Sequence, residues 1–450
     1  MKWRRIILAF GLLATLAFGD PALIVTGPLR KQSGAVTFTP SGLVYFPSGG
    51  TIDLPTLENP LVDGVVIGQT WSDLEPIQGT YVFNSAAHGQ SLDSMIASVE
   101  LADSQSRAAG GPGKWARLSI ITGGPGVSAG GAKPDWLVNT AIPADAFAGG
   151  KFITYYADNA HTTTATIPVF WEPTLLARHG LLAAAVGAHL ASHPVIKGSL
   201  VAYANANTND WNLGDISPIA DGLPPAGSSP RSRWLTTLTG SGYASMDVAL
   251  TAAGNQTFAA YRSGMPANYF LTTPIGRLDD STLNAGWTST NRGNQVAAGV
   301  VNTAAAAVAP GLVIAQKQSL NALGTPTAPG GTSTWNDLYQ LAVPHAAQMV
   351  WHAYNDCQIS TDPLYLDQWA GSRMSNGVNG LCDDSVKILK DAIDIGITYG
   401  TLWQEIYEID IQNLSLPTNA DPHIPIGYPG NGGTDPDVIT YAHNKLLRGP

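Results

Sequence analysis

Charge is scarce in this sequence. Only 12% of its 450 residues are Asp, Glu, Lys or Arg, about half the usual share of roughly 25%. The net charge of -10 is spread without acidic runs, and no basic cluster interleaves with aromatics. Nucleic acid is therefore excluded as an expected partner, and polar uncharged ligands fit better. Neither HExxH nor an EF-hand loop is present and the nine His are scattered, so no metal is expected. No GxSxG supplies a Ser nucleophile. No Gly-rich phosphate loop follows the first strand-like run, which weakens a nucleotide reading and leaves no cofactor expected. Internal repeats, low-complexity tracts and a linker long enough to mark a second domain are also missing.

Cysteine is nearly absent, and no apolar run after the first twenty residues is long enough to span a membrane. The opening, MKWRRIILAFGLLATLAFGD, sets Lys2, Arg4 and Arg5 before an apolar run from Ile6 to Phe18, with Ala17 and Gly19 at the places of a cleavage site. That run is shorter than the ~20 residues of a spanning helix, and the pattern predicts a signal peptide over 1–19. The chain is accordingly expected to be exported, secreted or periplasmic, with 20–450 as the mature domain. In an oxidising compartment the two cysteines, Cys357 and Cys382, are expected to pair as a disulfide, the alternative being two buried thiols.

What the chain does contain is apolar residues, 44% of the total, with 49 Gly and 31 Pro. Eight short apolar runs read as strands: LVYFP (43–47), DGVVIGQT (63–70), WARLSIITG (115–123), KGSLVAYANAN (197–207), NYFLTT (268–273), LVIAQKQ (312–318), QMVWHAY (348–354) and TLWQEIYEI (401–409). Helix-length amphipathic segments separate most of them. Eight strands with intervening helices predict an α/β fold, a (β/α)8 TIM barrel in one large domain. The first unit has only DLPTLENP between its strands, and a doubly wound open sheet is the competing architecture.

In such a barrel the site lies at the C-terminal strand ends, so the side chains that face inward there are the candidates. Period-two alternation places Arg117 and Ser119 inward on the third strand, with Leu118 and Ile120 outward. On the fourth, Tyr203, Asn205 and Asn207 are expected inward and Leu200, Ala202 and Ala204 outward. On the eighth, Trp403, Glu405 and Tyr407 are expected inward, with Leu402 and Ile406 outward. A carboxylate, a guanidinium, amides and flat rings suit a carbohydrate ligand. Trp403, Trp71 and Trp211 are candidate stacking platforms, or else ordinary core. His352 and Tyr354, near the end of the seventh strand, are further binding candidates. Glu75 and Glu172 read as loop-fixing groups.

The stretch TWSDLEPIQGTYVFN (70–84), the tetrapeptide PDWL (134–137) and the approach HPVIKGSLVAYANAN together resemble, in order and spacing, beta-galactosidase-like members of the clan A glycoside hydrolases. That resemblance covers about residues 40–215. It implies a TIM barrel acting on glycosidic bonds, with an Asn-Glu at the end of strand four and a Glu on strand seven. On that pattern Asn207 takes the Asn place, but Thr208 stands at the Glu place and QMVWHAYND offers no Glu. The substitute carboxylates are Asp210 and Glu405. Hydrolysis needs the pair facing each other, about 5–5.5 Å apart for retention or about 6.5–9.5 Å for inversion. Glu405 beside Trp403 would serve as the acid, or, held ionised by Arg117, as the nucleophile; the structural alternative is a buried Arg117–Glu405 pair.

Three functions are therefore expected to compete. The first is a secreted, cofactor-free glycoside hydrolase acting on oligo- or polysaccharide. The second is a catalytically inactive carbohydrate-binding barrel, and the third a cell-surface structural module.

Overall fold

The computed structural model describes residues 38–47, 50–123, 132–137, 141–143, 150–156, 161–206, 211, 213–214, 216–275, 294–308, 312–320, 341, 343–349, 385–415 and 426–448. The barrel strands are β1 (Gly42–Phe46), β2 (Gly64–Thr70), β3 (Trp115–Ile121), β6 (Ile196–Leu200), β7 (Phe270–Ile275), β8 (Val313–Leu320), β9 (His345–Met349) and β10 (Thr401–Tyr407). All their pairings are parallel, each strand sits beside its chain neighbour, and β1 pairs with both β2 and β10, which closes the sheet. Closure removes the open-sheet alternative. These strands are buried on both faces, hence their continuous apolar runs.

The outer layer contains α3 (Leu92–Ala108), α4 (Pro173–Leu190), α6 (Met246–Gly264), α7 (Asn294–Ala307) and α8 (Ser385–Thr398). The short first unit holds a single turn and a half, α1 (Leu54–Glu58), which Asp53 caps by accepting from the Thr56 amide at 3.0 Å. A four-residue helix, α2 (Trp71–Leu74), follows β2. The chain ends its described part with α9 (Glu408–Leu414) and α10 (Val438–Arg448). No helix among the described residues is long and apolar enough to cross a membrane.

The structure departs from the expected strands in three places. An antiparallel hairpin, β4 (Phe152–Tyr156) with β5 (Thr164–Pro168), lies outside the barrel between β3 and α4 and was not expected. Strand β6 stops at Leu200 rather than continuing to 207, and β9 starts at His345 rather than 348. The Pro/Gly/Ser stretch 217–233 runs into a helix of its own, α5 (Pro230–Thr236), opened by a capping box at Ser229. Arg233 ties this stretch down with two bonds to the Asp221 carboxylate, at 2.9 and 2.5 Å, which hold that carboxyl below its usual range.

The core has two parts. Between strands and helices lies a large apolar shell that includes Leu118, Ile120 and Ile406. Inside the barrel a smaller cluster gathers Val44, Val66, Trp115, Phe270, Ile314, Ala346 and Trp403, with Phe38 packed against it. Trp115 lies 5.9 Å from Trp403 and Phe270 lies 5.5 Å from Trp403, ring centre to ring centre. Such rings fit because facing positions carry no side chain. A Cβ on Gly64 would lie 2.6 Å from the Trp115 ring, and one on Gly198 would lie 2.3 Å from the Phe270 ring. Large and absent side chains thus alternate to fill the interior at crystal-like density.

Candidate functional site

Four strands repeat one pattern: a large apolar residue in the interior plug, then a polar residue two positions later. They read Trp115 then Arg117, Phe270 then Thr272, Ile314 then Gln316, and Trp403 then Glu405. A spacing of two keeps both residues on one face and carries the second ~6.6 Å further toward the C-terminal end. The barrel therefore has a polar layer standing directly on an aromatic one.

Arg117 and Glu405 meet within that layer. Nη2 of Arg117 donates to Oε1 of Glu405 at 2.6 Å, and Trp403 Nε1 reaches the same oxygen at 3.3 Å. Nη1 of Arg117 lies 3.4 Å from Oγ1 of Thr272. Arg117 is 2% exposed and Glu405 0%. Isolated charges at this depth are strongly disfavoured, and here the guanidinium and the carboxylate are paired. Valences remain, however: Oε2 of Glu405, Nε of Arg117 and both amide atoms of Gln316 are buried without a hydrogen-bond partner among the described residues. Buried polar atoms are ordinarily satisfied by protein, water or ligand. Gln316 was not among the sequence candidates, although it shares the parity of Ile314 in LVIAQKQ; inward positions were read from alternation on the third, fourth and eighth strands alone.

On the fourth strand the expected facing is corrected. Gly198 abuts the interior Phe270, so Leu200, two residues on, has the inward parity. Val201 and Tyr203 belong to the outer shell instead, Tyr203 standing edge-on to Trp211 at 4.8 Å and against Gly254 of α6. Alternation failed here because the strand is apolar on both sides, so Ala202 and Ala204 carry no directional information. Regular strand also ends at Leu200, and Ala204 adopts a left-handed φ of 48°. Asn205, 1% exposed, consequently lies on the helix side, where it lines a small cavity with Trp71, Lys133, His179 and Tyr203. That cavity is lined by two bases, the buried His179 and the half-buried Lys133. Burial draws the Lys133 ammonium down to about 8, and burial together with the Lys133 charge draws the His179 imidazole down to about 3.

The tryptophans are placed as follows. Trp403 is fully buried in the plug and Trp211 is 1% exposed. Trp71 is also fully buried, stacked on His179 at 5.2 Å, with its Nε1 donating to Glu75 Oε2 at 2.9 Å. None of the three presents an open ring face in this structure. Glu75 is a loop-fixing group: besides Trp71 it accepts from the Gly79 amide at 2.8 Å and pairs with Arg178, while its carbonyl accepts from Trp136 at 2.8 Å. Glu172 caps α4, accepting from the Leu175 amide at 2.7 Å. Asp210, Asn207, His352, Tyr354, Cys357 and Cys382 lie outside the described residues.

No protein-family model and no curated protein matches the chain. Comparison with solved structures finds an exo-beta-1,4-mannosidase from Opitutaceae bacterium strain TAV5, 14% identical with a TM-score of 0.31, over 65% of this chain and 40% of that one. It also finds endo-glycoceramidase II from Rhodococcus sp., 11% identical with a TM-score of 0.33, over 85% of this chain and 75% of that one. Xylanase B from Clostridium stercorarium F9 is 12% identical with a TM-score of 0.32, over 68% of this chain and 70% of that one. The barrel assignment itself rests on the strand pairing and its closure.

Proposed function

We propose that this barrel acts on O-glycosidic bonds of oligo- or polysaccharides, with Glu405 as the ionised carboxylate of the site and Asp210 as its partner. The supporting observation is the polar layer: Glu405 is held by Arg117 through one oxygen, and the other oxygen has no hydrogen-bond partner among the described residues. In hydrolysis one carboxyl protonates the leaving oxygen while an ionised one attacks the anomeric carbon or activates water. With Oε1 engaged by the Arg117 guanidinium and Oε2 turned to the site, Glu405 takes the attacking or water-activating role and Asp210 the acid's. The named glycosidases among the structural neighbours and the motif order in residues 70–84 and 134–137 agree with a sugar substrate. The experiment is Glu405→Gln assayed on a panel of glycans beside the parent chain. Loss of turnover with an unchanged fold supports the role, and undiminished turnover removes Glu405 from it.

A second reading is favoured by one observation, the complete burial of Glu405 in an ion pair. On that reading the barrel binds carbohydrate without cleaving it. Binding measured by calorimetry, with no product from any bound glycan, would establish it. Export by the segment 1–19, and pairing of Cys357 with Cys382, belong to the same proposal. N-terminal sequencing of the exported protein and non-reducing peptide mapping test them.

A further inference from the structure

On the outer helical shell, away from the polar layer, two histidines and two carboxylates converge. His189 lies in the last turn of α4 and His193 follows three residues after that helix ends, its amide bonded to the Leu190 carbonyl at 3.0 Å. The spacing, His-x3-His, sets both rings on one side, 5.4 Å apart centre to centre. Asp93, in the first turn of α3, places Oδ1 2.6 Å from Nε2 of His189. Glu100, two turns further along α3, places Oε1 2.9 Å from Nδ1 of His193. One ligand atom each from Asp93, His189 and His193 falls within 4.8 Å of the others. Phe83 stacks on His189 at 4.1 Å and fixes that ring's plane.

We infer that Asp93, His189 and His193 form a binding site for a divalent transition-metal ion of the zinc class, with Glu100 as a fourth donor or as the carboxylate that orients His193. The donor set is imidazole and carboxylate, which suits zinc, and Zn–N and Zn–O bonds of ~2.0–2.2 Å call for donor atoms roughly 3.3 Å apart. Asp93 and His189 need open by only a fraction of an ångström to reach that. Charge favours the same answer. The two carboxylates, Asp93 and Glu100, together balance the charge of one divalent ion. The histidines are about three-quarters buried at their side chains, so the ion would sit in a partly dried cleft pinning α3 to α4.

The test uses the tag-free full chain, stripped with chelator and dialysed, then titrated with zinc by calorimetry and with cobalt(II) by visible absorption. The expected result is one equivalent bound, a tetrahedral cobalt spectrum, and a thermal midpoint that rises with free zinc. Asp93→Asn and His189→Asn should each lose the equivalent and the zinc-dependent rise while far-UV circular dichroism stays that of the parent. Asp93→Asn is isosteric and at the surface, so it reports on binding even where the histidine variant loses helix. No uptake of either metal by the parent chain, or equal uptake by Asp93→Asn, overturns the inference.

Discussion

Arg117 on β3 and Glu405 on β10 meet across the inside of the barrel, Nη2 to Oε1 at 2.6 Å, with almost no solvent on either side chain. Removing one partner strands the other charge in the interior, and removing both does not. Arg117→Met is therefore expected to cost about 3–5 kcal/mol in urea unfolding, and Arg117→Met with Glu405→Leu to recover most of it. Additive losses in that double-mutant cycle would mean that the pair is not coupled.

Gly198 carries the Phe270 ring against its Cα, at a distance where an added Cβ would come within 2.3 Å. Gly198→Ala should destabilise by about 1–3 kcal/mol through overpacking. Adding Phe270→Leu should return part of the lost thermal midpoint. A midpoint unmoved by Gly198→Ala would show that the plug is looser than described.

Gln316 presents a buried amide with neither atom bonded among the described residues, two residues beyond the plug residue Ile314. Replacing an unsatisfied buried polar group by an apolar one of like size is neutral or stabilising. Gln316→Leu is thus expected to keep or raise the urea midpoint while weakening sugar binding at least several-fold. Parallel loss of stability would instead assign the amide to the core alone.

His179 and His443 give opposite pH dependences. Burial and the Lys133 charge push His179 from 6.5 down to about 3, so its neutral form is the folded form. Its contribution is complete above pH 6.5 and is lost as pH falls from 6.5 toward 3, by a few kcal/mol in all. His443 is raised, chiefly by its bond to Asp63 at 3.1 Å. Its contribution is complete below pH 6.5 and is lost as pH rises through the elevated value. In urea midpoints followed against pH, His179→Phe should flatten the acid limb and His443→Phe the fall as pH rises beyond 6.5; unchanged limbs would contradict both placements.

Most barrel strands were legible from apolar runs and turn residues, because parallel strands buried on both faces carry few polar residues; β9, HAAQM, was placed three residues late because it has no Val, Ile or Leu. The inward positions of Arg117, Trp403 and Glu405 were legible too, since polar and apolar residues alternate there. On β6 the same rule failed: Ala and Gly occupy either face at little cost, and the left-handed Ala204 reset the alternation before Asn205. The hairpin β4–β5 was hidden because TATIP and FITYY lie in a Gly- and Thr-rich stretch with no partner nearby in the strand count. The His-x3-His spacing at 189 and 193 was present in the chain, but its carboxylates come from α3, about a hundred residues earlier, and only folding unites them.

The most direct measurement is the separation of the Asp210 and Glu405 carboxyl groups in a crystal structure with a bound oligosaccharide. Hydrolysis at this layer requires the two carboxyls to flank a glycosidic bond, within ~10 Å of each other. A much larger separation, or a sugar that touches neither, would contradict hydrolysis at this layer.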